Sequence, residues 1–395
     1  MTRSASATGG APVAHAHEGD RVTTLELFFD LVFVFAFTQV TALMTHGEAP
    51  QSLLQAFIVL SLLWWAWTSY TWLANEARAN RGILQTAFIL AMIAMFLASL
   101  AIPGAFHPAE EGLDAAWTLV ICYTLVRLIH ISTYFIAARG DRALRRQGAV
   151  TAATSVLPTA ALLAVGAALG GSAQLWIWLV AVVYDFAVIF VTAIDGGGWA
   201  IRSAAHFAER HSLVIILALG ESIIAIGAGL REAPLDAPFA VGAVLSMLIA
   251  VGYWFAYFHR LQGRLEHELE RLERKERAKM GREVFTYLHF PIIIGIVLTA
   301  LGIELAMGHL DEPHLGVLGG WALGCGAAVF LAATAATALR SHGDWRTARL
   351  VAAGVFVLIS PVLVVVAPLF ALGMVSVGLM ILAIVEVALM RRGRT

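Results

Sequence analysis

The stretch Thr23-Thr24-Leu25-Glu26-Leu27-Phe28-Phe29-Asp30-Leu31-Val32-Phe33-Val34-Phe35-Ala36-Phe37-Thr38-Gln39-Val40-Thr41 is apolar enough to cross a bilayer, yet it carries two carboxylates four residues apart. At about 100° per residue, Thr23, Glu26, Asp30 and Thr41 fall on one stripe of a helix, and the rest of its surface is Leu, Val, Phe and Ala. An ionised carboxylate at the centre of a membrane helix costs about 3 kcal/mol or more, so such a group asks for a partner and a role.

The whole chain fits the reading of that stretch. Of 395 residues, 59% are hydrophobic and 13% charged, far from the roughly 45–50% and 25% of a soluble domain. The composition predicts an all-α polytopic membrane protein, because a lipid-exposed segment must satisfy its own backbone. A formal net charge of −1 gives no pull toward nucleic acid. Cys122 and Cys325 lie in apolar segments without metal-ligand spacing and read as small core residues. Residues 1–20 are small, polar and His-containing, with no cleavable-signal pattern, and are expected to form a disordered cytoplasmic arm.

Windows long enough to span occur at about 22–45, 52–74, 82–103, 114–138, 149–170, 174–194, 212–230, 238–259, 284–307, 316–339, 347–367 and 369–390. That is twelve helices. With the amino terminus cytoplasmic, 24 of the 26 basic residues fall on the cytoplasmic side, Arg231 on the opposite side and Arg127 within a helix. The expected topology is therefore multi-pass in the plasma membrane, with both termini cytoplasmic, including the tail 391–395.

Shifting the chain by 203 residues puts Cys122 on Cys325, Gly140-Asp141 on Gly343-Asp344 and Pro158 on Pro361. A shift of 201 puts Asp185 on Glu386, 191 puts Asp30 on Glu221, and 187 puts Trp67 and Tyr70 on Trp254 and Tyr257. These offsets suggest two six-helix pseudo-repeats, 21–194 and 212–390, joined by a cytoplasmic linker at 195–211. Six is even, so the two halves would run parallel. The charged connection 260–283 pairs Glu with Arg at helical spacing and reads as a solvated helix extending helix 8.

Several polar groups lie deep in the spans. Helix 4 carries Tyr123, Arg127, His130 and Tyr134 at i, i+4, i+7 and i+11, a polar stripe at mid-depth. Arg127, read as the lone deep cation, must pair with an acid, and Asp30, Asp185 and Glu221 are the candidates, with Asp30 preferred. Helix 7 has His206, Glu209, Arg210 and His211 at its start, then Glu221 and Ser222. Its small residues Ala218, Gly220, Ala225, Gly227 and Gly229 allow a close neighbour or a local break. Helix 9 carries His289, Gly295, Gly302 and Glu304. Acids that outnumber their cations can bind protons or cations, and the plain alternative is that they stay neutral and hydrogen-bond helices together.

His206, Glu209 and His211 invite a metal reading, but two His five apart point about 140° apart on an α-helix. Trp67 is a candidate cavity wall beside its counterpart Trp254, or plain core. No lysine lies outside 260–283, and no phosphate loop, dinucleotide fingerprint or nucleophile elbow is present, so no cofactor is implied.

The segments Glu26–Gln39, His206–Gly227 and Tyr287–Gly295 strongly resemble the bacterial low temperature requirement A family of membrane proteins, and the resemblance extends over 21–390. It implies a multi-helix integral membrane protein. Glu26, Asp30, His206, Glu209, Arg210, His211, Glu221, Ser222 and His289 match its pattern without receiving a role from it. Arg127, His130, Asp185 and Glu304 rest on the residue chemistry alone. The resulting expectation is a proton-coupled secondary transporter or permease of a small solute or ion. Its site would lie between helices 1, 4, 6 and 7, with Arg127 as counter-ion or binder of an anionic group. The alternatives are a membrane-embedded metal protein or enzyme, and a non-transporting structural or stress-response membrane protein.

Overall fold

The structure is a computed structural model that describes residues 19–45, 49–77, 79, 82–107, 112–192, 200–229 and 235–391. Among the described residues, twelve helices are long and apolar enough to cross a membrane: α1 (Thr24–Thr45), α2 (Gln51–Glu76), α3 (Gly82–Gly104), α4 (Ala115–Ala137), α5 (Arg142–Leu169), α6 (Gly171–Thr192), α7 (Ala204–Gly229), α8 (Ala237–Arg271), α9 (Arg274–Gly308), α10 (Gly316–His342), α11 (Thr347–Val365) and α12 (Pro368–Leu389). No strand occurs among the described residues. The chain is a multi-pass membrane protein. With twelve crossings, the start of α1 and the end of α12 lie on one side, called the terminal side below.

Local chemistry sets several boundaries. Asp114, Asp141 and Asp236 each accept a hydrogen bond from the backbone N–H three residues on, at 3.0, 3.0 and 2.9 Å, and so cap α4, α5 and α8. The Asp141 cap lets α5 begin at Arg142, earlier than hydropathy suggests, because its first turns are polar and stand at the terminal end. α8 continues past His259 into 261–271, and there the charged surface hides a stripe of Leu261, Leu265 and Leu269, each essentially fully buried. That stripe packs on α7 and α10. The charged connection is therefore half core rather than solvated all round.

Packing is close between α9 and α10. A Cβ added to Gly295 would sit 2.5 Å from the Phe330 backbone nitrogen, one on Gly302 2.5 Å from Leu323, and one on Gly326 2.5 Å from the Thr299 hydroxyl. Small residues let the two backbones approach in a setting where the hydrophobic effect does not drive helix association. In α7, Gly220 and Gly227 face open space while Gly229 lies against Met307, and the helix runs unbroken from Ala204 to Gly229.

Among the first six helices, α1 packs on α2 and α3, α3 on α4, α2 on α4 and α6, α4 on α5, and α5 on α6. Among the last six, α7 packs on α8 and α9, α9 on α10, α8 on α10 and α12, α10 on α11, and α11 on α12. The two sets meet where α1 and α2 pack on α7 and α9. Two π-helical segments interrupt the α geometry, Ala152–Val156 within α5 and Gly281–Leu288 within α9. Side chains such as Phe28, Leu31, Ile121 and Leu358 are exposed on the outer faces, as lipid contact demands.

Candidate functional site

α1 presents opposite chemistry on its two sides. Leu27, Phe28 and Leu31 are exposed, while Glu26 and Asp30 are fully buried against α7. Asp30 forms an ion pair with Arg210 at 2.9 Å and accepts a hydrogen bond from Trp67 Nε1 at 2.9 Å. The Arg210 guanidinium lies 5.5 Å from the centre of the Trp67 ring. Asp30 Oδ2 has no hydrogen-bond partner among the described residues.

One turn earlier on α1, Glu26 caps its own helix, accepting from the Thr23 backbone N–H at 2.8 Å and the Thr23 hydroxyl at 2.7 Å. Its other oxygen lies 2.7 Å from His206 Nε2 and 4.0 Å from Arg210.

The tautomer of His206 follows from Asn75. The Asn75 oxygen accepts from the backbone N–H of Arg202 at 2.7 Å, so its amide nitrogen must donate. It does so to the Ser203 carbonyl at 2.8 Å and to His206 Nδ1 at 3.2 Å. His206 Nδ1 is therefore an acceptor, and Nε2 carries the proton that faces Glu26. With both acids ionised and His206 neutral, the group Glu26, Asp30, His206 and Arg210 carries a formal charge of −1.

Glu221 lies on the same helix pair, farther from the terminal side. It accepts from the Thr38 hydroxyl at 2.8 Å. Thr41 and the half-buried Glu304 carboxylate also lie within its electrostatic reach. Ser222 beside it is buried, and its hydroxyl has no partner among the described residues.

A second buried network forms between α4, α5 and α6. Arg127 donates through one terminal nitrogen to Asp185 and to the Tyr123 hydroxyl, both at 2.9 Å, and through the other to Ser155 Oγ at 2.9 Å. Ser155 in turn donates to the second Asp185 oxygen. Arg127 and His130 also line a cavity of about 70 Å³ near the junction of the two sets of helices.

The geometry corrects several sequence expectations. The partner of Asp30 is Arg210, not Arg127, which belongs to Asp185. Arg210 counts as a terminal-side basic residue in the sequence, yet it is completely buried because the start of α7 is covered by α1, α2 and Trp67. Arg127 is therefore not the sole deep cation. Among the described residues, the cavity that Arg127 lines has no wall from Asp30, Asp185 or Glu221.

His206, Glu209 and His211 do not converge. Glu209 accepts from the Val22 backbone N–H at 3.1 Å, and His211 donates from Nδ1 to the Phe207 carbonyl at 2.8 Å. No group of three His, Cys, Asp or Glu suited to a metal occurs among the described residues. Trp254 is half-exposed on the outer face of α8, so it is not a wall opposite Trp67. Arg231 lies outside the described residues. His289 bridges the Val284 carbonyl at 2.9 Å and the Tyr257 hydroxyl at 2.8 Å, a buried brace within the second six helices.

Asn75 and Trp67, which fix the tautomer and hold the acid, escape a reading based on charge, since both are neutral. A second missed pair, Arg349 with Glu386, joins α11 to α12 at 2.6 and 3.0 Å.

The chain matches the model of a family described as bacterial low temperature requirement A protein over residues 21–384. It is 26% identical over 304 residues to an uncharacterized protein of Rhizobium meliloti (strain 1021), covering 72% of this chain and 69% of that protein. No solved structure matches.

Proposed function

We propose that this chain, which belongs to the bacterial low temperature requirement A protein family, is a proton-coupled secondary transporter or permease of a small solute. The observation that carries this reading is the placement of two acid sites on one helix pair. The Glu26–Asp30–His206–Arg210 group has room for one proton by charge count. Glu221 lies eight residues farther along at the level of Thr38, which is about 12 Å of helix rise. Two protonatable stations at different depths on the α1–α7 pair give a proton two stops across the barrier. Ser222 and Glu304 lie beside the outer station. His130 belongs to the solute side, and Glu209 steadies the entry to α1 through the Val22 N–H.

The recurrence of neighbour relations between the two sets of six helices supports two parallel units, 21–194 and 212–390, so that the stations lie where equivalent first helices meet. The excess of Arg and Lys on the terminal side supports a cytoplasmic location for both ends in the plasma membrane.

The test is proton flux into liposomes holding the purified protein, read with an enclosed pH dye. Flux is expected in the wild type and a loss of at least tenfold in an Asp30→Asn, Glu221→Gln double variant. Absence of flux and of solute uptake in the wild type, or flux indifferent to the double variant, would sink the reading.

A further inference from the structure

The cavity beside Arg127 has a composition that the proton stations do not use. Its walls come from α2, α4, α5, α6 and the π-helical segment of α9, so it touches both sets of helices. Among the described residues its lining contains Arg127, Arg282 and His130 but no Asp or Glu. Asp185 and Glu283, which pair with the two arginines at 2.9 and 2.8 Å, are not part of that lining.

Three buried groups on the wall keep unused hydrogen-bonding atoms among the described residues. Arg127 has a free Nε, Thr151 a free hydroxyl, and His130 two unpaired ring nitrogens, with the Ser69 carbonyl near the ring but outside hydrogen-bond geometry. Each of the three is at least 95% buried. Leaving a buried donor unmade costs about 1–3 kcal/mol, so three on one small wall indicate a ligand that accepts from them.

The lining also includes the aromatic side chains Trp65, Trp72 and Tyr287. A volume of about 70 Å³ holds several waters' worth of ligand and excludes a large one. Cationic and hydroxyl donors together with aromatic faces in one small lining suit an ion whose charge sits at one end. We propose that this cavity binds a small organic carboxylate. Its oxygens face Arg127 Nε, His130 and Thr151, and its apolar end lies against Trp65, Trp72 and Tyr287. That the bound carboxylate is cargo rests on the transport reading above; that it binds does not.

The experiment is isothermal titration of the purified full-length protein in lipid nanodiscs at pH 7. The probes are sodium propionate, sodium chloride and sodium phosphate at matched ionic strength, with methylammonium as the cation control. Saturable binding of propionate is expected, weakened at least tenfold in Thr151→Val and in His130→Phe. Both variants keep side-chain shape and leave the Arg127–Asp185 pair in place, and unchanged thermal unfolding verifies each. Arg264→Gln, at the terminal surface, should bind as the wild type does.

The proposal is overturned if propionate shows no saturable binding, if both variants bind it normally, or if chloride or phosphate binds as tightly and displaces it. Failure here with proton flux intact removes the carboxylate and leaves transport standing. Binding without flux in liposomes removes transport and leaves the site.

Discussion

Two buried arginine–carboxylate pairs tie helices together, one in each set of six, and they differ in what surrounds them. Arg349 presents Nε and one terminal nitrogen to the two oxygens of Glu386 at 2.6 and 3.0 Å, and donates again to the Ala256 carbonyl at 2.7 Å. Arg127 reaches only one oxygen of Asp185 directly and needs Ser155 to reach the other. Its Nε is left over, and it borders a cavity. Each guanidinium keeps one unpartnered nitrogen among the described residues, Nη1 of Arg349 and Nε of Arg127, but the bidentate pair joins α8, α11 and α12 whereas the bridged pair borders the cavity. One motif thus serves as a brace in one place and, in the carboxylate proposal, as a reception point in the other, and the difference lies in the cavity beside Arg127.

The comparison can be broken most forcefully at the brace. Glu386→Ala leaves Arg349 buried without its counter-ion and should cost about 3–5 kcal/mol of stability, read as a fall in unfolding temperature in detergent. Propionate affinity of the protein that remains folded should be unchanged. A Glu386→Ala protein as stable as the wild type would show that the pair braces nothing.

Asp185→Asn works in the opposite sense. It removes the charge that competes for Arg127 while keeping the side-chain shape, so titration should find propionate bound about tenfold more tightly, the equivalent of one pKa unit of interaction. Weaker binding in that variant would show that Asp185 positions Arg127 rather than restrains it.

Ser155→Ala deletes the bridge only. The expected cost is about 1 kcal/mol of stability, with no counterpart in the second set, where no hydroxyl intervenes.

The smallest effect belongs to Asp344, just before α11. Burial would raise its carboxyl pKa, but the Arg346 backbone N–H, the Arg346 guanidinium and Arg264 hold it below the ordinary carboxylate value. A depressed value in the folded state contributes stability above the unfolded pKa, near 4, and that contribution disappears as pH falls through the folded value. Asp344→Asn should therefore cost less than about 1 kcal/mol of stability at pH 7, read as a slightly lower unfolding temperature, and nothing in strong acid.

The helices were legible because twenty apolar residues in a row have few other uses, and the acids of α1, α4's polar stripe and Asp185 were legible because they are out of place in such a run. Partners were a different matter. Asp30 and Arg210 are 180 residues apart, and hydropathy ranks spans without saying which ones touch. Arg210 and Arg349 looked like terminal-side charges because each lies within two turns of a helix start. Only neighbouring helices that reach as far as they do turn those positions into interior. Asn75 shows a further limit: its role comes from two backbone N–H groups and a carbonyl that fix its amide, and none of the three has a side-chain signature.

The π-helical segment of α9 has a consequence for how the cavity wall is encoded. Residues five apart on an ordinary α-helix look in directions about 140° apart, as His206 and His211 do on α7. Within Gly281–Leu288 the i to i+5 winding brings such residues together: the Thr286 hydroxyl reaches the Gly281 carbonyl, and Arg282 shares a wall with Tyr287. The meeting of a guanidinium and a phenol at that wall is thus a matter of phase, set by how many residues the turn contains. A single-residue deletion there would return the segment to α winding and part Arg282 from Tyr287 without altering either side chain.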